Sequence, residues 1–339
     1  MENRFHGGKH MITAECCRND FRSENCSSTM DDELSIFDAK SDWLNDEIYV
    51  HGVKDEVKEI ADRFGPVKLS RILKVDYNNC FREWTCGRNP IRLSKLIEMI
   101  NLCDSETQIK LKEKIDTKEL KIGCRYSPHK MRFPSHVSEN LAYLAGLILG
   151  DGTLAGDSSN TRGNWNVGTL FDDENHQKIY DKLIENEFQI TPNHQKDEKN
   201  CWLSIFGSKT TQWFWRSFFD MHNGYKASII TIPNVIANSS NGRLRVTLLQ
   251  GLFDSDGTIT KRGHVQYAST SKEMIEQVSK ILFSFGIAHG KASWLKDPKY
   301  RMLHSIAIRR KSSVLSFAKQ IGFRHPRKAA ILAKFSLVV

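Results

Sequence analysis

From Ser138 onward the chain switches repeatedly between two hydrophobic periods. Leu141, Leu144, Leu147 and Ile148 recur at helical spacing behind Ser138, a residue suited to cap a helix N-terminus. Cys201 to Phe206, His264 to Ser269 and Met302 to Arg309 alternate apolar and polar positions, which predicts strands with one polar face. Lys272 to Phe285 and Ser312 to Ile321 return to the helical spacing. Upstream, helical patterns joined by short turns run from about Asp42 to Leu102. Residues 1–40 are rich in Ser, Asn, Asp and Glu and show no sustained period, which predicts a poorly ordered tail. A charged stretch ending in Ser127-Pro128 and Phe133-Pro134 predicts a linker over 106–135, because proline disfavours helix at the residue before it. The expected organisation is therefore a tail (1–40), a small all-helical module (41–105), the linker (106–135), and two units at 136–240 and 241–339.

The two units are copies. Leu144-Ala-Gly-Leu-Ile-Leu-Gly-Asp-Gly152 returns as Leu249-Gln-Gly-Leu-Phe-Asp-Ser-Asp-Gly257, 105 residues later. Ser204 to Lys209 resembles Ser305 to Lys311, and Gly224-Tyr-Lys226-Ala-Ser-Ile229 resembles Pro326-Arg-Lys328-Ala-Ala-Ile331. Ordered similarities at nearly constant spacing predict one structural unit used twice. Within each copy the order is helix, strands, helix, strands, helix, so the class is α+β, a duplicated αββαββα arrangement.

The repeated nonapeptide carries the chemistry. Ala142, Gly146 and Gly150 lie four residues apart and form a narrow stripe on one helix; Thr247, Gly251 and Ser255 form the matching stripe on the other. Small residues let two helices approach more closely than usual, since interaxial distance follows side-chain size. Each helix closes in Asp-Gly, at Asp151-Gly152 and Asp256-Gly257, where the glycines suit a left-handed closing residue. The carboxylates sit at the negative ends of the helix dipoles, and pairing the helices brings them together. Two close anions require compensation, and a hard cation with oxygen ligands supplies it. The expected cofactor is Mg²⁺, with Mn²⁺ able to substitute.

Charge narrows the partner. The net charge is +9, and residues 225–339 carry 19 Lys and Arg against 5 Asp and Glu, a net +14 that leaves −5 for the rest. A basic block of this size points to a polyanion, most often nucleic acid. The longest apolar stretch, Leu141 to Leu149, is about half of a bilayer crossing, and the polar N-terminus does not read as a signal peptide, so an intracellular, membrane-free protein is expected. Eight cysteines at 16, 17, 26, 80, 86, 103, 124 and 201 form no CxxC pair and are expected as free thiols.

Both nonapeptides resemble the signature of the LAGLIDADG (DOD-type) homing endonucleases, over about residues 136–335. The resemblance implies that Asp151 and Asp256 are metal-binding catalytic acids and that Lys226 and Lys328 are the catalytic lysines near the scissile phosphates. Leu149 departs from the acid usual at the sixth motif position, which Asp254 keeps. The implied activity is Mg²⁺-dependent hydrolysis of both strands of duplex DNA by a monomer, leaving staggered 3′ ends, with two four-stranded sheets forming a saddle on the DNA. Lys209 and Lys311 are expected at phosphates or bases, and Gln266, Tyr267, Arg309 and Arg310 are strand residues that could face the major groove.

Residues 55–100 resemble a Cro-type phage-repressor helix-turn-helix: Val57 to Gly65, Val67 to Leu73, a tight turn, then Val75 to Trp84 and Gly87-Arg88. In such modules the second helix enters the major groove, which makes Asp76, Asn78, Asn79 and Arg82 candidate contacts; a plain helical bundle with Ile72, Phe81 and Trp84 as core is the competing expectation. Two other functions compete: an RNA maturase acting on intron RNA, and a transcription regulator built on the same fold. An intact self-splicing intein is not expected, since the chain opens with Met1 and ends in Leu-Val-Val339.

Overall fold

The computed structural model describes residues 32–40, 47–124, 130–155, 165–196, 201–224, 226–295, 299 and 301–337. The N-terminal module runs β1 (Tyr49–His51), α1 (Lys54–Phe64), α2 (Pro66–Ile72), a π turn (Tyr77–Phe81) leading directly into α3 (Arg82–Thr85), β2 (Ile91–Arg92), α4 (Leu93–Asn101), α5 (Ser105–Asp116), β3 (Lys121–Gly123) and β4 (Met131–Arg132). It is not purely helical. Its four strands form an antiparallel sheet in the order β2-β1-β3-β4. These strands hold two or three residues each, too few to display a period of two. The stretch 106–135 is likewise no linker: most of α5 and the whole of β3 and β4 lie in it, and Phe133 packs edge-on against Phe214 and Phe218 of the following unit, at 6.0 and 5.4 Å. The end of the expected tail is also anchored, with Leu34 and Ile36 buried and backbone hydrogen bonds from Leu34 to Ser135 and from Val137 to Asp32. Residues 1–31 lie outside the described residues.

The remainder is the duplicated unit. The first copy runs α6 (Glu139–Gly150), β5 (Gly152–Ala155), β6 (Asn166–Phe171), α7 (Glu174–Phe188), β7 (Asn193–Lys196), β8 (Trp202–Phe206) and α8 (Lys209–Phe219). A short α9 (Asn234–Ala237) leads to the second: α10 (Gly242–Ser255), β9 (Gly257–Ile259), β10 (Val265–Ser269), α11 (Lys272–Ser284), β11 (Gly290–Trp294), β12 (Leu303–Ile308) and α12 (Lys311–Gln320), followed by α13 (Pro326–Leu337). The sheets have matching orders, β5-β6-β8-β7 and β9-β10-β12-β11. The fold is α+β, two αββαββα units behind a smaller mixed module.

Two central helices hold the copies together. Every residue from Leu141 to Leu149 on α6 is buried, and α10 buries Leu244, Leu248, Leu249, Leu252 and Phe253. A helix buried all round is a core element, and its apolar run needs no polar face. Ser138 accepts a hydrogen bond from the Leu141 amide at 3.0 Å, the cap expected of it. Each sheet turns one face onto the helices: Val167, Thr169 and Phe171 on β6, and Val265, Tyr267 and Ser269 on β10, are buried there. The other faces carry Thr153, Gly168, Leu170, Leu203 and Ile205 in one copy, and Thr258, Gln266, Ala268, Ser305 and Ala307 in the other.

Five cysteines fall among the described residues (80, 86, 103, 124 and 201) and all are free thiols; Cys16, Cys17 and Cys26 lie outside them. No helix among the described residues is long and apolar enough to cross a membrane.

Candidate active site

The two small-residue stripes meet. A Cβ on Gly146 would lie 2.3 Å from the Leu248 carbonyl oxygen and 2.9 Å from the Gly251 Cα; one on Gly251 would lie 2.3 Å from the Tyr143 carbonyl oxygen. Here α6 and α10 touch backbone to backbone. One turn on, a Cβ on Gly150 would lie 2.0 Å from the Ser255 hydroxyl and 3.1 Å from Oδ2 of Asp256. The Asp256 carboxylate therefore stands beside the last residue of α6, next to Asp151.

Both aspartates are helix C-caps in the right-handed region, with φ/ψ of −82°/0° and −80°/−9°. Gly152 and Gly257 are not the left-handed closures expected of them. They are glycine because the chain doubles back tightly into β5 and β9: a Cβ would lie 2.5 Å from the Ile148 Cα in one case and 2.3 Å from the Phe253 carbonyl oxygen in the other.

Lys226 and Lys328 come to the same helix ends, both 8% exposed. Lys226 donates to the Ile148 carbonyl in the last turn of α6. Lys328 donates to the carbonyls of Phe253, Asp254 and Ser255 at 3.1, 2.6 and 3.1 Å, in the last turn of α10. These carbonyls have no partner within their helix, so the lysines close the helix ends and offset the negative dipole there. Their charges act mainly across the pair. Lys328 is the leading cation lowering Asp151, while Asp256 is the leading anion raising Lys226. Each lysine closes the helix of its own copy, and its charge also reaches the acid of the other, so the two acids and two lysines form one coupled group.

The two carboxylates remain open to solvent yet are crowded by protein. Burial and the nearby Asp151 charge raise Asp256 to about 6, against the opposing pull of Lys226 and Lys328. Burial also raises Asp151, and burial lowers Lys226 to about 8. Ionising Asp256 therefore costs the fold nothing below the unfolded value of 3.8, and a full penalty above about 6. Asp256→Asn is expected to raise the melting temperature of the cation-free protein at pH 7.5, with the gain shrinking from pH 6 to pH 4. Saturating Mg²⁺ should reverse the ranking by stabilising only the wild type. Thermal melts with EDTA and with Mg²⁺ check both signs.

A third acid joins from a direction the motif does not reveal. Asp172 follows β6, lines a cavity of about 280 Å³ with Asp151, His176 and Lys328, and its charge raises Asp151. It is held by the second copy, through His325 Nε2 at 2.8 Å and Arg327. The residue following the matching strand is Thr270, so the two halves differ. Beside Asp172 a buried polar chain crosses between copies. The Tyr143 hydroxyl donates to Asp254 at 2.7 Å; burial, with the charges of His325 and Lys328, lowers His176 to about 3; and the neutral Nε2–H donates to the Tyr143 oxygen at 2.9 Å. The Arg324 amide also donates to Asp254, at 2.9 Å. Asp254 is thus occupied in packing the copies together, and Leu149 fills the corresponding place by being buried.

The candidate DNA contacts divide. Arg309, Arg310 and Lys311 are exposed where β12 passes into α12, and Gln266 is half-buried on the outer face of β10. Tyr267 is not available to a groove: it is 0% exposed on the helix-facing side and packs on Phe253 at 5.4 Å. Alternation along β10 puts it on the same face as buried Val265. Lys209 is engaged elsewhere, with Glu47 of the N-terminal segment at 2.6 Å and over the Trp165 ring. In the N-terminal module Asn78, Asn79 and Arg82 are exposed, Phe81 and Trp84 are buried, and Ile72 is 39% exposed. Asp76 caps the helical turn by accepting from the Asn79 amide at 2.6 Å, so its side chain is committed to the fold.

Residues 244–322 match the LAGLIDADG-like domain family. The chain is 28% identical over 205 residues to a DNA polymerase of Thermococcus hydrothermalis, covering 58% of this chain and 12% of that protein. It is 25% identical over 302 residues to elongation factor 2 of Methanopyrus kandleri, covering 86% of this chain and 21% of that one. Identity to the replication factor C small subunit of Methanocaldococcus jannaschii is 28% over 214 residues, or 62% and 11% of the two chains. The chain thus spans from about a tenth to a fifth of these relatives' lengths. Among solved structures, the homing endonuclease I-DmoI in complex with DNA and Mn is similar at 20% identity and a TM-score of 0.43, over 55% of this chain and 97% of that one. Full-length DUF199/WhiA from Thermatoga maritima is similar at 17% identity and a TM-score of 0.39, over 59% and 60%.

Proposed function

We propose that the protein is a site-specific homing endonuclease that hydrolyses both strands of duplex DNA with the help of a divalent cation. The observation that carries this reading is the pair Asp151 and Asp256, two carboxylates at adjoining helix ends with no ion-pair or hydrogen-bond partner for either side chain among the described residues. Lys328 donates to three backbone carbonyls and Lys226 to one, and neither makes an ion pair with the two carboxylates, so an external cation is the natural partner. The match of residues 244–322 to the LAGLIDADG-like domain supports the same reading. So does similarity over 205 to 302 residues to relatives named for three different activities, each matched over only 11% to 21% of its own length, as an inserted module would be.

Mg²⁺ fits this donor set. It is commonly held by one or two carboxylates, with waters and substrate phosphates completing its shell, and no group of three or more potential ligands occurs among the described residues. Asp151 and Asp256 would hold the cation; bound there, it supplies Lewis-acid stabilisation of charge developing on the phosphate oxygens. The chain's own groups do the remainder. Lys226 and Lys328, held near protein carbonyls, add fixed positive charge at the two half-sites, where it stabilises an anionic transition state without reorganisation. The small residues set the distance between the acids, and so between the two scissile phosphates. A single chain with two unlike halves suits an asymmetric target, cut as a monomer to staggered 3′ ends. The exposed Asn78, Asn79 and Arg82 give the N-terminal module a helix-turn-helix role on flanking DNA.

The test is a supercoiled plasmid carrying the two flanks of the protein's own gene joined together. Linear product with Mg²⁺ and none with EDTA is the expected result. Binding without cutting in either condition would favour a regulator, and preferential binding of the precursor RNA would favour a maturase.

A further inference from the structure

The outer sheet faces have a composition that bears on which DNA they accept. Strand registers place Leu170, Leu203, Ile205 and Gly168 together in the middle of the first face, with Asn193 and Gln195 on its β7 edge. On the second, Gln266, Ala307 and Gly290 form one cross-strand row and Ala268, Ser305 and Ala292 the next. Leu170 and Trp294, each 45% exposed, add one large apolar side chain to each face. Within the strand ranges neither face carries an Arg, Lys, Asp or Glu; Arg309, one residue past β12 and at the parity of Ala307, borders the second face at its end. The strand lysines point the other way: Lys196 lies over the Trp202 ring, and Lys291 pairs with Glu276 of α11 at 2.6 Å.

The charge sits at the rim instead. Lys261 and Arg262 in the β9–β10 hairpin and Arg309, Arg310 and Lys311 after β12 are exposed and in no ion pair among the described residues. The pairing of Val265 with Ile308 brings these two groups to one end of the second sheet, away from Asp256. A cationic rim around an uncharged, partly apolar face complements a duplex whose phosphates lie outside and whose base edges lie inside.

In the major groove Arg and Lys select guanine, Asp and Glu select cytosine, Asn and Gln select adenine, and apolar side chains contact the thymine methyl. We infer that the two faces accept a duplex whose base pairs on either side of the cut are predominantly A·T, read by amide contacts to adenine and apolar contacts to thymine methyl groups. The inference rests on the nuclease reading only in placing the duplex across these faces.

The full-length protein, in Ca²⁺ to favour binding over cutting, is used to select from a duplex library randomised over the region flanking the centre. A·T pairs are expected at well over half of the informative positions. Deoxyuridine in place of thymidine in a selected duplex removes only the methyl groups, and should weaken binding roughly 4-fold for each contacted thymine. Gln266→Ala, on an outward position, should relax one position without altering the others. Selected duplexes rich in G·C, or indifferent to deoxyuridine, would overturn the inference while leaving the nuclease reading intact. Failure to retain any duplex, or stronger retention of duplex RNA, would remove both.

Discussion

Asp151→Asn and Asp256→Asn are each expected to abolish double-strand cleavage while leaving the fold intact. Both residues are helix C-caps whose side chains make no ion pair or hydrogen bond among the described residues, so an amide of the same shape disturbs no packing. What it removes is charge. On the proposed reading, losing one of two anionic ligands sacrifices several kcal/mol of charge stabilisation in the transition state, a loss on the order of 10³-fold in rate. Because the two acids and the two lysines act on one another as a single charged group, either substitution should stop both strands. Plasmid cleavage measures the loss, and circular dichroism verifies the fold; cation-dependent cutting that survived both substitutions would remove these acids from the site.

The largest effect on stability is expected from Gly251→Ala. The added methyl would lie 2.3 Å from the Tyr143 carbonyl oxygen, and backbone cannot swing aside as a side chain can. The helices must separate across the whole crossing, uncoupling the apolar contacts around it. Overpacking a tight core costs typically 1–3 kcal/mol and occasionally more; here about 3 kcal/mol or above is expected in urea unfolding, with reduced cleavage because the carboxylates move apart. Gly242→Ala is the control. At the first turn of the same helix, the nearest atom to its new Cβ would be 3.7 Å away, and alanine is the better helix former by about 1 kcal/mol.

The repeat made the central architecture readable. A motif occurring twice with small residues at i, i+4 and i+8 encodes both the helix and its partner, which is why the crossing at Gly146 and Gly251 could be anticipated from sequence. Asp172 could not. It stands 21 residues beyond Asp151, in no motif, and reaches the site only because β6 ends there and His325 and Arg327 of the other copy hold it. The His176–Tyr143–Asp254 chain was hidden for the same reason: each member resembles an ordinary polar residue until the copies pack. Tyr267 shows a different failure. Its alternation with Gln266 was visible, but choosing the outward residue required noticing that Val265 shares the tyrosine's face. In the N-terminal module, strands of two or three residues carry no periodic signal, so a helical pattern concealed the sheet that frames it.

The proposed cleavage depends on Asp151 and Asp256 jointly holding a cation. Anomalous diffraction from crystals grown with Mn²⁺ and a DNA duplex tests it most directly. A manganese peak in contact with both carboxylates, lost in Asp256→Asn crystals, is the predicted result. Ordered density for both side chains with manganese bound elsewhere, or bound to neither acid, would contradict it.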